Sequence, residues 1–280
     1  MTVARVDARF AQLKREGRAG FVAYVMAGDP DVETSRAILE GLPAAGADLI
    51  ELGFPFSDPM ADGPPVQRAA LRALAAGTTL AGTLELVRRF RASDAETPVV
   101  LMGYLNPILS SGMGQFAREA TAAGVDGVIL VDCPPEEAEP VLAAFDPLGL
   151  ALVRLATPTT DEARLPAVVR RTTGFVYYVS VAGVTGGKAA DAAAIAPAVE
   201  RVRRASGLPV AVGFGIRTPE QARAVARVAD AAVVGSALVD AVGDAVTGAY
   251  AQNRDPVAKV LETARALAMA VRSARATETT

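Results

Sequence analysis

Two carboxylate side chains, Glu51 and Asp62, have the types and spacing needed for acid–base chemistry. Glu51 belongs to the apolar run Leu49–Leu52, and Asp62 to the segment Phe54–Pro65 that follows it. A carboxylate with apolar neighbours costs free energy unless it is paired or kept for a function. Two carboxylates in unlike surroundings can act as an acid and a base, so the pair predicts proton transfer. The alternative is a structural Glu51 that bonds to a neighbouring strand.

Other catalytic side chains are scarce in the chain. It has no histidine, and its lysines are Lys14, Lys188 and Lys259. Without histidine, Ser–His and Cys–His pairs and most zinc sites are excluded. The single cysteine, Cys133, is therefore expected to be a small buried residue rather than a nucleophile. Any proton transfer must then be carried out by carboxylates, Tyr, Lys or water. Schiff-base chemistry needs a buried lysine, and metal-enolate chemistry usually needs histidine ligands, so neither is favoured by this composition.

Small residues near the end of the chain predict an anion site. Gly213 and Gly215 follow one apolar run, and Gly235 and Ser236 follow the next. Glycine lets the backbone approach a phosphate closely, and a helix that begins after Gly235 would point free N–H groups at it. Each glycine pair alone is also typical of an ordinary turn. Their occurrence after two successive runs favours phosphate binding.

A segment rich in glycine, residues 180–188, follows the run Phe175–Val181. Its composition fits a lid that orders over a substrate, and it fits a plain mobile connection equally well. Tyr177, in the same run, would either place its hydroxyl at the site or fill the core.

The elements that must position these residues alternate along the whole chain. Short, partly β-branched apolar runs alternate with segments of helical period, as in a parallel sheet covered by helices. The runs are Phe21–Met26, Leu49–Leu52, Val99–Met102, Val128–Val131, Leu150–Leu155, Phe175–Val181, Val210–Val212 and Ala231–Val234. The helical segments include Glu33–Ala44, Gly82–Ala92, Gln115–Ala123, Glu136–Phe145, Asp161–Thr172 and Pro219–Ala229. Eight runs without a linker predict a single (β/α)₈ TIM barrel, with an open doubly wound sheet as the competitor.

The barrel is expected to span residues 1–280 as one domain. An extra N-terminal helix, Val6–Glu16 within residues 1–18, is expected to close its lower end. The polar segment Ser273–Thr280 is expected to be a frayed tail.

The composition limits the classes of partner and the cellular compartment that we expect. A net charge of -3 and a pI near 5.3 give no broad positive field for nucleic acid or for an anionic membrane. The sequence has no apolar stretch of membrane-spanning length and no signal peptide. A single cysteine excludes an internal disulfide framework. We therefore expect a cytoplasmic protein.

The segment Glu51–Pro64 resembles the signature of the tryptophan synthase alpha subunit family around its catalytic carboxylates. Further motifs of that family match in the right order over nearly the whole chain: Gly28-Asp29-Pro30, Ala182–Gly186, Gly213–Ile216 and Gly235-Ser236. The chain departs from some members at Val181, where they carry Arg.

The resemblance implies a retro-aldol cleavage of indole-3-glycerol phosphate to indole and glyceraldehyde 3-phosphate. Glu51 would move protons, and Asp62 would bond the indole N–H. The substrate-binding residues that it implies are Tyr177, Thr185, Gly186, Gly213, Phe214, Gly215, Gly235 and Ser236. It also implies a beta-subunit partner in an alpha2-beta2 assembly. Pyridoxal phosphate would be held only by that partner, with no cofactor or metal in this chain.

Other functions remain open at this stage. A different phosphate-binding barrel, such as a sugar-phosphate isomerase or a prenyl transferase, would share the glycine sites but not the segment from Glu51 to Asp62. A non-catalytic subunit that activates a partner is a second alternative. A stand-alone lyase that releases indole without a partner is a third.

Overall fold

The computed structural model describes residues 3–180, 192–213, 215–247 and 255–276. The strands are β1 (Gly20–Met26), β2 (Leu49–Gly53), β3 (Val99–Gly103), β4 (Gly127–Leu130), β5 (Ala151–Ala156), β6 (Val176–Val179), β7 (Val210–Gly213) and β8 (Ala231–Val234). They are parallel and pair in chain order, and β1 also pairs with β8. This closure confirms the predicted TIM barrel, because an open doubly wound sheet would leave two edge strands unpaired.

Helices surround the barrel. They are α1 (Val3–Arg15), α2 (Val32–Gly41), α3 (Pro64–Ala75), α4 (Leu80–Ser93), α5 (Leu105–Ser111), α6 (Met113–Ala123), α7 (Glu139–Phe145), α8 (Leu165–Val169), α9 (Ala192–Ser206), α10 (Pro219–Val228), α11 (Ser236–Thr247) and α12 (Pro256–Arg272). Two short 3-10 helices, Pro135–Glu137 and Asp146–Leu148, flank α7.

The strands bury both faces, because successive side chains point alternately to the barrel interior and to the helices. Outward-facing strand residues pack with the helices into the largest hydrophobic cluster. Inward-facing residues such as Val22, Leu49 and Val100 form a separate cluster inside the barrel. Because both faces are buried, these strands are apolar at successive positions, whereas strands of a sheet buried on one face would alternate apolar and polar residues.

The N-terminal helix closes the lower end of the barrel, as predicted. Val6, Phe10 and Leu13 of α1 join the interior cluster, and the rings of Phe10 and Phe175 lie 5.5 Å apart. At the other end of the chain, the contacts extend beyond Ser273, where we expected fraying. The Arg275 guanidinium donates to the carbonyls of Ala226 and Ala229, and Ala274 is buried. Residues 277–280 lie outside the described structure.

Two predicted helices are shorter than their sequence patterns indicated. The segment Glu136–Phe145 divides into a 3-10 turn and α7, because Pro140 has no N–H to continue the ladder. Within Asp161–Thr172, only α8 is helical. It ends where Arg170 is extended and Arg171 takes a positive φ of 60°.

Candidate active site

The inward-facing residues at the carboxyl ends of the strands form the floor of the site. Leu49 belongs to the interior cluster, so Glu51, two positions later, points to the same face. Tyr24 and Tyr177 point to the barrel interior for the same reason, because they lie two positions after Val22 and Phe175 of that cluster. One cavity is lined by Tyr24, Glu51, Asp62, Gly63, Val66, Met102, Tyr177, Gly215, Val233, Gly235 and Ser236. Both predicted carboxylates therefore line one cavity with four of the eight predicted binding residues, Tyr177, Gly215, Gly235 and Ser236. The period of two along β2 places Glu51 there, whereas Asp62 comes from the segment between β2 and α3.

Glu51 is a buried acid that has no ion-pair partner among the described residues. Its side chain is 1% exposed, and its Oε2 atom has no hydrogen-bond partner in the part of the chain that the structure describes. Burial, followed by the negative charge of Asp62, raises the pKa of Glu51 from 4.5 to about 8. The neutral acid therefore predominates at pH 7. A purely structural Glu51 would be expected to bond through both oxygens, and this one does not.

Asp62 lies in a more polar setting across the same cavity. Burial raises its pKa from 3.8 to about 6, while a hydrogen bond from the Tyr104 hydroxyl opposes that rise. At pH 7 Asp62 is therefore ionised while Glu51 is mostly protonated. Two carboxyl groups with different pKa values in one cavity have the chemistry for acid–base catalysis, and their catalytic roles stay a prediction.

The segment between β2 and α3 is fastened to the end of β3. The Ala61 amide donates to the Tyr104 hydroxyl over 2.9 Å, and the rings of Phe56 and Tyr104 lie 5.3 Å apart. On the other side, the Gln67 amide donates to the Asp62 carbonyl over 2.9 Å. These contacts fix the backbone on both sides of the Asp62 carboxylate.

Two tyrosines complete the floor. Burial and the charge of Glu51 raise the pKa of Tyr177 well above its usual value, so its hydroxyl remains a donor. Gly213 makes room for it, because a Cβ atom there would lie 2.1 Å from the Tyr177 hydroxyl oxygen. Gly213 thus has a packing role that the sequence interpretation, which assigned it to phosphate, did not include. Tyr24 is 5% exposed and lines the same cavity.

The predicted anion site lies where β7 and β8 end. Gly215 has a φ of 82° with open space where a side chain would be, and Gly235 directly precedes α11. The Gly235 carbonyl accepts from the amides of Leu238 and Val239, whereas the first amides of a helix have no intrahelical acceptor. The start of α11 therefore offers N–H groups to the cavity. Thr185, Gly186 and Phe214, also predicted to bind substrate, lie outside the described residues, as does Val181.

Sequence reasoning missed Tyr24 and Tyr104. Tyr104 directly follows β3, where barrel active-site residues are expected, so its position in the sequence was an available signal. Tyr24 lies in the first apolar run, and its inward direction would have followed from the period of that strand. Cys133 is buried and free, as expected. In the described part of the chain, no cluster of three or more potential metal ligands occurs.

The fold and the cavity define a TIM-barrel protein with a carboxylate pair at the carboxyl end of its strands, the end where barrel enzymes hold their active sites. The family profile described as "Tryptophan synthase alpha chain" matches residues 10–272. A tryptophan synthase alpha chain from Phenylobacterium zucineum is 70% identical over 275 residues, which cover 98% of each chain. The corresponding chain from Caulobacter vibrioides is 68% identical over 275 residues, again 98% of each.

Solved structures agree with the sequence relatives. The tryptophan synthase subunit alpha of Legionella pneumophila superposes with a TM-score of 0.88 at 40% identity, over 95% of this chain and 98% of that one. A chain of Mycobacterium tuberculosis tryptophan synthase gives 0.85 at 36% identity, over 96% of this chain and 98% of that one. The chain belongs to the tryptophan synthase alpha chain family. None of the helices in the described ranges has the length and apolar character to cross a membrane.

Proposed function

We propose that this chain cleaves indole-3-glycerol phosphate to indole and glyceraldehyde 3-phosphate. The observation that carries the proposal is the buried Glu51, whose Oε2 atom is unpartnered in the described structure and whose side chain lines a cavity together with Asp62. A carboxyl group with a pKa near the working pH can both give and take a proton in one catalytic cycle.

In this mechanism, the neutral Glu51 gives its proton to indole C3, which forms the indolenine cation. The ionised Asp62 accepts a hydrogen bond from the indole N–H and stabilises that positive charge. The Glu51 carboxylate then takes the proton of the glycerol hydroxyl as the carbon–carbon bond breaks and the electron pair returns to the ring. The aldehyde leaves, and Glu51 is protonated again. The indole ring itself accepts the electrons, so the step needs neither a Schiff base nor a metal.

We further propose that the substrate phosphate binds at Gly215, Gly235 and Ser236. The geometry in favour is the left-handed glycine and the N-terminus of α11, both on the cavity. By family resemblance, Thr185, Gly186, Gly213 and Phe214 complete this side, and Tyr177 lies beside Glu51.

The partner in this proposal is a tryptophan synthase beta subunit in an alpha2-beta2 assembly, which holds pyridoxal phosphate and receives the indole. The exposed apolar side chains of Met60 (85% exposed) and Leu109 (55%) support a docking surface at this end of the barrel. Met60 is in the segment that Tyr104 fastens, and Leu109 is on the helix that starts directly after Tyr104. We propose one barrel domain over residues 1–280, working in the cytoplasm.

The test is indole release from indole-3-glycerol phosphate by the purified chain, with and without a tryptophan synthase beta subunit. We expect slow release that rises when the partner is added, and a loss of about 10²–10⁴-fold in kcat for Glu51→Gln. The exposed Glu262→Gln is the matched control, with turnover unchanged. Fast release without a partner would identify a stand-alone lyase. No release in either case, or full turnover by Glu51→Gln, would refute the proposed chemistry.

A further inference from the structure

A second cleft opens beside the catalytic cavity, between the segments that follow β4 and β5. We call it the β4–β5 cleft. Its polar lining consists of Asp132, Arg154, Thr157, Thr159, Thr160 and Arg164, and it shares Asp62 and Tyr177 with the catalytic site. Apart from Asp62 and Tyr177, no residue assigned above to catalysis or to phosphate binding lines this cleft, so its other polar groups need a separate explanation.

Arg154 lies at the floor of this cleft as a buried cation. It points away from the barrel interior, because Val153 and Leu155 on either side of it pack with the interior cluster. It is 6% exposed, and its Nη1 atom donates to the Cys133 carbonyl over 3.0 Å. Its Nε atom has no acceptor in the described structure, and none of its guanidinium nitrogens forms an ion pair there. A guanidinium keeps its proton when it is buried, so an anion that paired with Arg154 would stabilise it.

Glu136 is the carboxylate that influences the pKa of Arg154, and its influence is the weakest of those that act on this group. Glu136 already forms an ion pair with another arginine. Its two oxygens accept from Arg164 over 3.0 and 3.2 Å at the exposed rim of the cleft. Behind the cleft, Arg201 adds a further positive charge, with its Nη2 atom donating to the Thr160 carbonyl. Asp132 and Asp62 also line the cleft, but Asp132 accepts from the Leu105 amide and Asp62 from the Tyr104 hydroxyl. Neither forms an ion pair with Arg154 in the described structure, so this cation has no carboxylate of its own there.

Hydroxyl donors line the wall beside Arg154. The Thr157 hydroxyl contacts those of Thr159 and Thr160 over 2.8 and 3.2 Å. Three hydroxyls supply three hydrogens, and two contacts between them use at most two. At least one hydroxyl hydrogen thus remains for an acceptor outside the cluster. An oxyanion in the cleft would receive it together with the guanidinium N–H groups.

We propose that the β4–β5 cleft is a second anion-binding site, which takes the phosphate or carboxylate group of a small molecule on Arg154 and the threonine hydroxyls. The apolar residues of the cleft, among them Pro134, Pro135 and Val168, would contact the rest of such a molecule. Because Asp62 and Tyr177 border both cavities, an occupant of the cleft would lie next to the substrate site.

The experiment is calorimetric titration of the full chain with inorganic phosphate, and separately with acetate, in buffer of low ionic strength. The wild type is expected to bind phosphate at two sites, one at Gly235 and one at Arg154. Arg154→Met should lose the second site with binding roughly 10- to 100-fold weaker, the range expected for a charged hydrogen-bonding group. Gly235→Asp should lose only the first site. Indole release by Arg154→Met without added anion should stay within about twofold of the wild type, since Arg154 has no role in the proposed reaction.

A second pair of variants covers the case in which Arg154→Met does not fold. Thr159 is exposed on the cleft wall, so Thr159→Glu brings a carboxylate to Arg154 and should weaken phosphate binding by roughly tenfold. Thr159→Gln, of the same size without the charge, replaces the hydroxyl with an N–H donor and should weaken phosphate binding less than Thr159→Glu does. Tighter phosphate than acetate would identify a phosphoryl group as the ligand, and the reverse a carboxylate. Binding of both anions that is unchanged by Arg154→Met, or by Thr159→Glu, would overturn the proposal, whatever the chain does with indole-3-glycerol phosphate.

Discussion

The stability of this protein should fall between pH 5 and pH 9 because of Glu51, and Glu51→Gln should remove that part of the fall. The folded-state pKa of Glu51 is raised from 4.5 to about 8, so in this window the native state holds a proton that the unfolded state has released. Raising the pH therefore favours unfolding, until Glu51 is ionised in both states. Glutamine has a similar shape and does not titrate, so the variant lacks this dependence.

The expected magnitude follows from the size of the shift. A rise from 4.5 to about 8, at about 1.4 kcal/mol per pH unit, corresponds to on the order of 5 kcal/mol. Relaxation and water entry around the carboxylate lower this value, so we expect a difference of at least about 2 kcal/mol. Small proteins are stable by about 5–15 kcal/mol, which makes a change of this size readily measured.

The assay is urea unfolding of the wild type and Glu51→Gln at several pH values from 5 to 9. The quantity of interest is the difference between the two proteins in their free energy of unfolding, followed as the pH rises. We expect this difference to move in favour of the glutamine variant by about 2–5 kcal/mol over the window. Asp62 titrates in both proteins, so most of its contribution cancels. The control is Glu262→Gln, at a side chain that is 73% exposed, and its difference from the wild type should not change with pH.

Parallel pH curves for the wild type and Glu51→Gln would refute this reasoning. They would mean that Glu51 has an ordinary pKa in the folded protein, either because it is paired or because water reaches it. The proposed proton transfer at indole C3 would then lose its physical basis at neutral pH. If the wild type instead became more stable relative to Glu51→Gln as the pH rises, the pKa of Glu51 would be lowered in the folded protein, and the sign of the proposed shift would be wrong.

Three further substitutions test other parts of the structure. Gly235→Asp should raise KM for indole-3-glycerol phosphate at least tenfold in steady-state assays, because its charge opposes the phosphate; an unchanged KM would remove this residue from the site. Tyr104→Phe should raise the pKa of Asp62 above 6, since it removes a bond that lowers it, and should shift the acidic limb of the kcat/KM profile to higher pH. An unmoved limb would contradict that assignment. Arg91→Met should lower the free energy of unfolding in urea by about 3 kcal/mol, because it leaves the buried Asp126 with only one cation, and a loss below 1 kcal/mol would contradict the pairing.

Matched controls separate these effects from non-specific damage. Gly235→Ala adds bulk without charge and should raise KM less than Gly235→Asp. Arg88→Met removes a guanidinium that is 44% exposed and paired with Glu85 on the same helix, so it should change stability by less than about 1 kcal/mol.

Much of the architecture was determined by the sequence alone. Eight short apolar runs, separated by helical segments, predicted the strands to within a few residues, because burial on both faces needs apolar residues at successive positions. The same period of two places Glu51 on the inward face. The absence of histidine confined proton transfer to groups such as carboxylates. These properties depend on residue type and on neighbours along the chain, so they can be read locally.

Tertiary structure decided the rest. The raised pKa of Glu51 depends on burial by strands that are distant in the sequence, and on the charge of Asp62 across the cavity. The contact between Tyr104 and the segment before Asp62 joins residues 43 positions apart, which no local pattern encodes. Nor does the sequence show that Arg154 is a buried cation without a carboxylate partner among the described residues, because charge compensation is set by which loops meet in space. The desolvation and the ion pairing of a side chain depend on all the groups that surround it in the folded protein, so they are established only when the barrel has closed.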